Sequence, residues 1–321
     1  MTVKLLDISY WILIRNLKFI MWLFLALLGN AVLAVVGVTD KLILTKSVPK
    51  PIVFVFYSTI FILPLFLFLP FGVIFPTVWG DHFIFAVSGI CFALGLWALY
   101  IGFQESEISH IGPLVGSATP LFVFLLANIF LGEKFTAIKL LAIFVLIFGS
   151  LVVSFEKSKL HNGWHRGMAW GVLAGLLFAV SHVTAKYAYD AYGFYNGFVW
   201  TKLWIGAFTL FLLPFPSVRA LFRRRRDEVP PSSQAGAAGL VVVNKLLGIL
   251  GVVLVQYAIA LGSVSLVNAL SGVQYAILII LVALISKFWP KILKENYTRK
   301  EIWQEASAVA IIGFGLVLLL R

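Results

Sequence analysis

Residues 241–256 read VVVNKLLGILGVVLVQ, an apolar run broken by Asn244 and Lys245 and closed by Gln256. A lysine near the centre of a membrane helix costs roughly 2.5–3.5 kcal/mol on insertion scales, so its presence calls for a reason. Lys245 could be the counter-charge for a solute carboxylate or phosphate, with Asn244, Gln256, Asn268 and Gln274 orienting that solute by hydrogen bonds. Alternatively it could be buried neutral or bonded to helix-end carbonyls, while the amides join helices. Lys245 and Gln256 are eleven residues apart, three helical turns, and so share a face with Gly248 close by. Asn268 and Tyr275 are seven apart with Ser271 and Gly272 between them, which gives a second polar stripe.

Other residues offer weaker chemistry. His182 and Lys186 are one turn apart, and His182 could relay protons or pack between helices. Trp200 and Trp204, also one turn apart, could wall a binding cavity or face lipid. Lys202 lies about two turns into its segment and is expected to snorkel to the interface. Pro113 and Pro120 each remove a backbone donor from one helix and could act as hinges. The thirteen acidic residues fall in loops or near helix ends, Glu305 deepest, and the first apolar segment offers only Asn30. Cys91 is alone, so neither an intramolecular disulfide nor a CxxC metal site is available. His161 and His165 have ligand-like spacing but no acid beside them, and metal binding there is not expected. With no GxSxG, HExxH, phosphate-binding loop or paired carboxylate, neither catalytic residues nor a cofactor are expected, and the chain is not read as an enzyme.

The elements that must position these side chains are membrane helices. Of the 321 residues 61% are hydrophobic and 12% charged, with a mean hydropathy of +1.02, the composition of an integral membrane protein. The net charge of +12 is then read as loop lysines and arginines retained in the cytoplasm rather than as a nucleic-acid surface. Ten apolar segments of about 20 residues are expected to be helices, at 19–39, 52–76, 82–103, 109–132, 136–155, 167–187, 196–215, 236–261, 264–286 and 302–320. The polar stretch EKSKLHNGWHRG divides them into two five-helix halves, 1–155 and 167–321, joined by a linker at 156–166. Residues 34–41 (AVVGVTDK) and 179–186 (AVSHVTAK) match at five of eight positions, each 145 residues apart. An odd number of spans per copy inserts the second copy upside down, an inverted repeat. The charge count puts Arg223–Arg226 in the cytoplasm, both termini on the other side, and the chain in a plasma or inner membrane. On that side the sequon at Asn296 is chance.

The run SHIGPLVGSATPLFVFLLANIFLGEKFTAIKLLAIFVLIFGSLVVS (109–154) resembles the EamA-type repeat of the drug/metabolite transporter superfamily. The resemblance rests on a small-residue entry to the fourth helix, Pro120 inside it, Gly132 and Glu133 at its end, and a fifth helix closing in glycine and serine. A second copy around YAIALGSVSLVNALSGVQYAILIILVALISKF keeps Tyr257, the serine-rich turn and Gly272, but has Gln274 and Tyr275 near the expected proline and no terminal glutamate. The resemblance implies an all-α integral membrane fold of ten transmembrane helices as two inverted five-helix repeats. It also implies a secondary carrier moving metabolites by alternating access, with termini in the cytoplasm, opposite to the charge count. The small multidrug resistance branch of that superfamily needs a carboxylate in its first helix, which the segment 19–39 lacks, so export of cations is disfavoured. An anionic or zwitterionic solute is favoured. The rival is a non-transporting lipid-binding or assembly factor that keeps the fold. Expected partners are a small-molecule substrate, the lipid bilayer and a second copy in a homodimer, and no nucleic acid.

Overall fold

The computed structural model describes residues 2–47, 50–70, 72–105, 108–154, 166–223, 231–289 and 299–320. The expected linker up to residue 165, Arg224–Arg226 and the sequon at Asn296 lie outside them. The chain is all α, with no strand among the described residues. The helices are α1 (Thr2–Ser47), α2 (Pro51–Ile60), α3 (Trp79–Glu105), α4 (Ile108–Phe130), α5 (Ala137–Ser154), α6 (Arg166–Leu212), α7 (Pro216–Arg223), α8 (Pro231–Leu261), α9 (Val264–Ala269), α10 (Ser271–Phe288) and α11 (Arg299–Leu319). Among the described residues six helical stretches are long and apolar enough to cross a membrane: Asn16–Asp40, Trp79–Glu105, Ile111–Phe130, Arg166–Leu212, Val242–Leu261 and Val264–Phe288. Pro51–Leu67, Ala137–Val152 and Trp303–Leu319 are apolar but shorter. This is a multi-pass integral membrane protein.

Local chemistry explains where the helices depart from the expected segments. The segment expected at 52–76 stops being α-helical at Ile60 and passes into a 3-10 turn over Leu63–Phe68. Pro64 lacks an N–H, and its ring clashes with the carbonyl four residues back, that of Ile60. The first helix is longer than expected and carries Asp40 within it. α6 contains the two segments expected at 167–187 and 196–215, broken at Gly193, whose φ of 75° and ψ of 164° are open to a residue without a Cβ. The segment expected at 264–286 is split at Leu270 into α9 and α10. α4 stays helical through both Pro113 and Pro120.

Packing pairs α1 with α8, both α3 and α4 with α6, and α5 with α11, while α4 also touches α9. Glycines set the closest approaches. A Cβ on Gly89 of α3 would lie 2.6 Å from the carbonyl oxygen of Thr201 and 2.9 Å from the amide nitrogen of Ile205, both on α6. Gly29 and Gly251 bring α1 and α8 together in the same manner. Small residues let helix backbones meet where lipid supplies no hydrophobic drive between helices. Gly89→Ala must therefore part α3 from α6, and the expected cost is about 1–3 kcal/mol. Thermal unfolding of the detergent-purified protein checks this; an unchanged midpoint would mean that the α3–α6 contact has slack.

Candidate functional site

A cavity of about 380 Å³ lies inside the helix bundle. α1 contributes Asn30, Gly37 and Asp40, α3 Phe92 and Tyr100, α4 Pro113 and Gly116, α6 Phe178 and His182, and α8 Gln256. Asn268 comes from α9, Ser271, Gln274 and Tyr275 from α10, and Glu305 from α11. The walls therefore come from both sides of residue 155, and most of their remaining surface is aliphatic or aromatic.

Six of the candidate binding and hinge residues meet here: His182, Gln256, Asn268, Gln274, Tyr275 and Pro113. Their hydrogen bonds show which groups are already occupied. Asn268 Nδ2 donates to the Val264 carbonyl at 2.8 Å, which turns its Oδ1 toward His182 Nδ1 at 2.7 Å. An oxygen there can only accept, so Nδ1 carries the proton and the neutral ring keeps Nε2 as an acceptor. Tyr189 donates to Gln256 Oε1 at 2.7 Å, which leaves the amide nitrogen of Gln256 for a solute. Among the described residues the side chains of Gln274 and Tyr275 have no hydrogen-bond partner.

The break between α9 and α10 and the proline of α4 form one device. Pro120 has no N–H for the carbonyl of Gly116, four residues back. Ser271 Oγ, in the first turn of α10, donates to that carbonyl at 2.9 Å. The Tyr275 ring then lies on Gly116, where a Cβ would come within 1.8 Å of it. The glycine admits the ring, and the proline frees the oxygen that holds the neighbouring helix.

At another part of the wall, Asp40 corrects the expectation that no carboxylate stands in the first helix. Its Oδ1 lies 3.3 Å from Lys245 Nζ and accepts from Asn244 Nδ2 at 2.8 Å. Lys245 also donates to Ser58 Oγ at 3.3 Å, sits 4.6 Å from the centre of the Phe54 ring, and through Ser58 connects to the Tyr100 hydroxyl 3.0 Å further on. Lys245 and Asn244 do not line the cavity themselves; Asp40 stands between them and it. The sequence missed Asp40 because the apolar run ends before it, although the helix does not. Among the described residues Asn244 Oδ1 is buried without a partner.

Trp200 and Trp204 lie outside the cavity wall. Trp200 donates to the Ile74 carbonyl at 2.9 Å and packs against Phe75 and His82, while Trp204 covers Gly89. Pro120 is buried behind the wall. Lys186 bonds to Asp190 at 2.9 Å and to the Ala260 carbonyl at 3.3 Å, away from His182. Lys202 does not snorkel; only 4% of it is exposed.

Glu133 closes the bundle where α4 meets the turn into α9. Its carboxylate accepts from Ser263 Oγ at 3.0 Å, Val264 N at 2.9 Å, Ser265 N at 3.3 Å and Ser265 Oγ at 2.6 Å. A carboxylate at the exposed amides of a helix start satisfies donors that the helix cannot. The glutamate of the sequence motif thus ties the first half of the chain to the second.

Residues 20–155 match the model of the EamA-like transporter family. Among solved structures, a crystal structure of a protein aligns over 94% of this chain and 96% of its own, with 16% identity and a TM-score of 0.63, a likeness of fold. No curated protein matches the sequence.

The Asp40–Lys245 pair has side chains only 24% and 11% exposed, so removing one partner strands a charge in a poor solvent. Lys245→Met is expected to cost about 1–3 kcal/mol, less than a fully buried pair would. The double variant Asp40→Asn with Lys245→Met should recover most of it. Unfolding midpoints of the two single variants and the double one measure the coupling; additive losses would mean that the pair contributes nothing.

Proposed function

We propose that the protein is a secondary transporter that moves a small anionic or zwitterionic metabolite by alternating access through the central cavity. The carrying observation is the cavity itself: about 380 Å³, apolar in most of its wall, with Gln274, Tyr275 and the Gln256 amide nitrogen left without a partner among the described residues. Such sites take a metabolite-sized solute and orient it by a few polar groups. The match of residues 20–155 to the EamA-like transporter family supports transport as the activity class.

Alternating access needs two halves that can exchange roles, and the packing supports an inverted repeat of five spans each, ten in all. If α6 is counted as two spans and α9 with α10 as one, the first span of each half packs on the third span of the other: α1 on α8, and the first arm of α6 on α3. The matched octapeptides also bond alike. Thr39 Oγ1 donates to Val35 O at 3.1 Å and Thr184 Oγ1 to Val180 O at 2.7 Å, each pair 145 residues apart. Pro120 with the α9–α10 break offers a hinge, because discontinuous helices at a repeat interface are where such carriers place their sites.

The test is uptake into proteoliposomes of labelled carboxylates, zwitterions, neutral solutes and organic cations. Saturable uptake of an anionic or zwitterionic solute, accelerated by unlabelled solute on the far side, is expected. Tyr275→Phe and Gln274→Ala should leave the unfolding midpoint unchanged and raise KM by up to about tenfold, one lost hydrogen bond to the solute in each case. Uptake linear in concentration and equal to that of empty vesicles for every class would refute the transport reading.

A further inference from the structure

Lys202 is the buried charge that the cavity's own pairing leaves over. It lies in the second arm of α6, 96% buried, and among the described residues its ammonium has neither a hydrogen-bond nor an ion-pair partner. It rests instead 5.0 Å from the centre of the Phe92 ring and 5.4 Å from that of Phe198. Ring faces attract a cation, but less strongly than the water it gave up. An ammonium kept in such a place without an anion is a functional candidate by default.

Its position relates it to the cavity. Ser88 Oγ donates to the Ser181 carbonyl at 2.9 Å and Gly89 packs on Thr201, which puts Lys202 at the level of Phe92 and His182. Both of those residues line the cavity. Lys202 is not itself a lining residue, but the Phe92 ring on which its ammonium rests is. A lysine has four flexible methylenes, so its ammonium can move by several ångströms through rotamer changes without movement of the backbone.

We propose that Lys202 is the counter-charge for the carboxylate of the transported solute, which is received beside Phe92 and His182. This rests on the cavity being the transport site and names the class of solute: a small molecule with one carboxylate and an apolar body. Lys245 cannot take this role while Asp40 holds it. A phosphate dianion calls for further donors, usually the fork of an arginine, and among the described residues no arginine lines this cavity. His182 gives its one proton to Asn268 and has none left for an anion while neutral. Phe92, Leu96 and Phe178 supply the apolar surface for the rest of the solute.

The experiment compares thermal unfolding of the full purified chain with paired probes: L-phenylalanine against L-phenylalaninamide, L-leucine against L-leucinamide, and benzoate against benzamide. In the wild type at least one carboxylate should stabilise the protein with about tenfold higher apparent affinity than its amide, the scale of a hydrogen bond to a charged group. Lys202→Met should abolish that preference, while Lys202→Arg retains it. Without ligand, Lys202→Met should unfold at the same or a higher temperature, because it removes an unpaired buried charge. A wild type with no carboxylate preference, or a Lys202→Met protein that keeps it, overturns the proposal. Failure of both Lys202→Met and Lys202→Gln to fold assigns the lysine to assembly and also overturns it. Failure of the transport reading looks different: Lys202-dependent stabilisation by carboxylates with no saturable uptake of them.

Discussion

Inside an apolar bundle a polar side chain must find its partner within the protein, and the architecture follows from how each one does. Where lipid surrounds the helices, water cannot rescue an orphaned donor or charge. Asp40 with Lys245 and Asn244 joins α1 to α8. His182 with Asn268 joins α6 to α9, and Tyr189 with Gln256 joins α6 to α8. Glu133 spends its whole carboxylate on the turn that starts α9. Each contact links an element before residue 155 to one after it, or one helix of the second half to another, so polar pairing fixes the relative placement of helices that apolar contact alone would let slide. Lys202 departs from this rule, and that departure carries the proposal about the solute.

The second constraint is distance. Helix backbones approach closely at Gly89, Gly29 and Gly251, and this leaves room elsewhere in the same bundle for a cavity. Pro120 and Ser271 show how the two constraints meet. A proline that removes one backbone bond would leave the Gly116 oxygen bare, and a hydroxyl from the broken helix beside it takes its place. Helices joined through a replaceable hydroxyl bond rather than through their own ladders can separate at small cost, which suits a wall that must open.

Much of the architecture was legible in the sequence because hydropathy and proline are local signals. The class of protein, the approximate position of the helices and the internal match at residues 34 and 179 follow from composition and spacing, whereas the spacing of Asn268 and Tyr275 gave no sign of the break at Leu270 that puts them on different helices. Asp40 was not legible, since nothing in the apolar run ending at residue 39 says that the helix continues past it. Nor was the burial of Lys202: two turns from a segment's start is close to the interface only if that start is at the interface, and the break at Gly193 precedes it. Trp200 and Trp204 have a spacing that fits a cavity wall or a helix contact equally well, and packing against Ile74 and Gly89 decided between them. Pairing across 205 residues, as between Asp40 and Lys245, leaves no trace in a single sequence.

The account depends on the cavity being the place where a solute binds. The most direct measurement introduces Gln274→Cys into a Cys91→Ser protein and follows its modification by a membrane-impermeant maleimide, with and without a solute that shows saturable uptake. Gln274 lines the cavity and among the described residues its side chain has no hydrogen-bond partner, so the substitution leaves the fold in place. Modification that slows as the solute saturates is the predicted result. Modification at an unchanged rate under saturating solute would contradict the account and move the transport site out of this cavity.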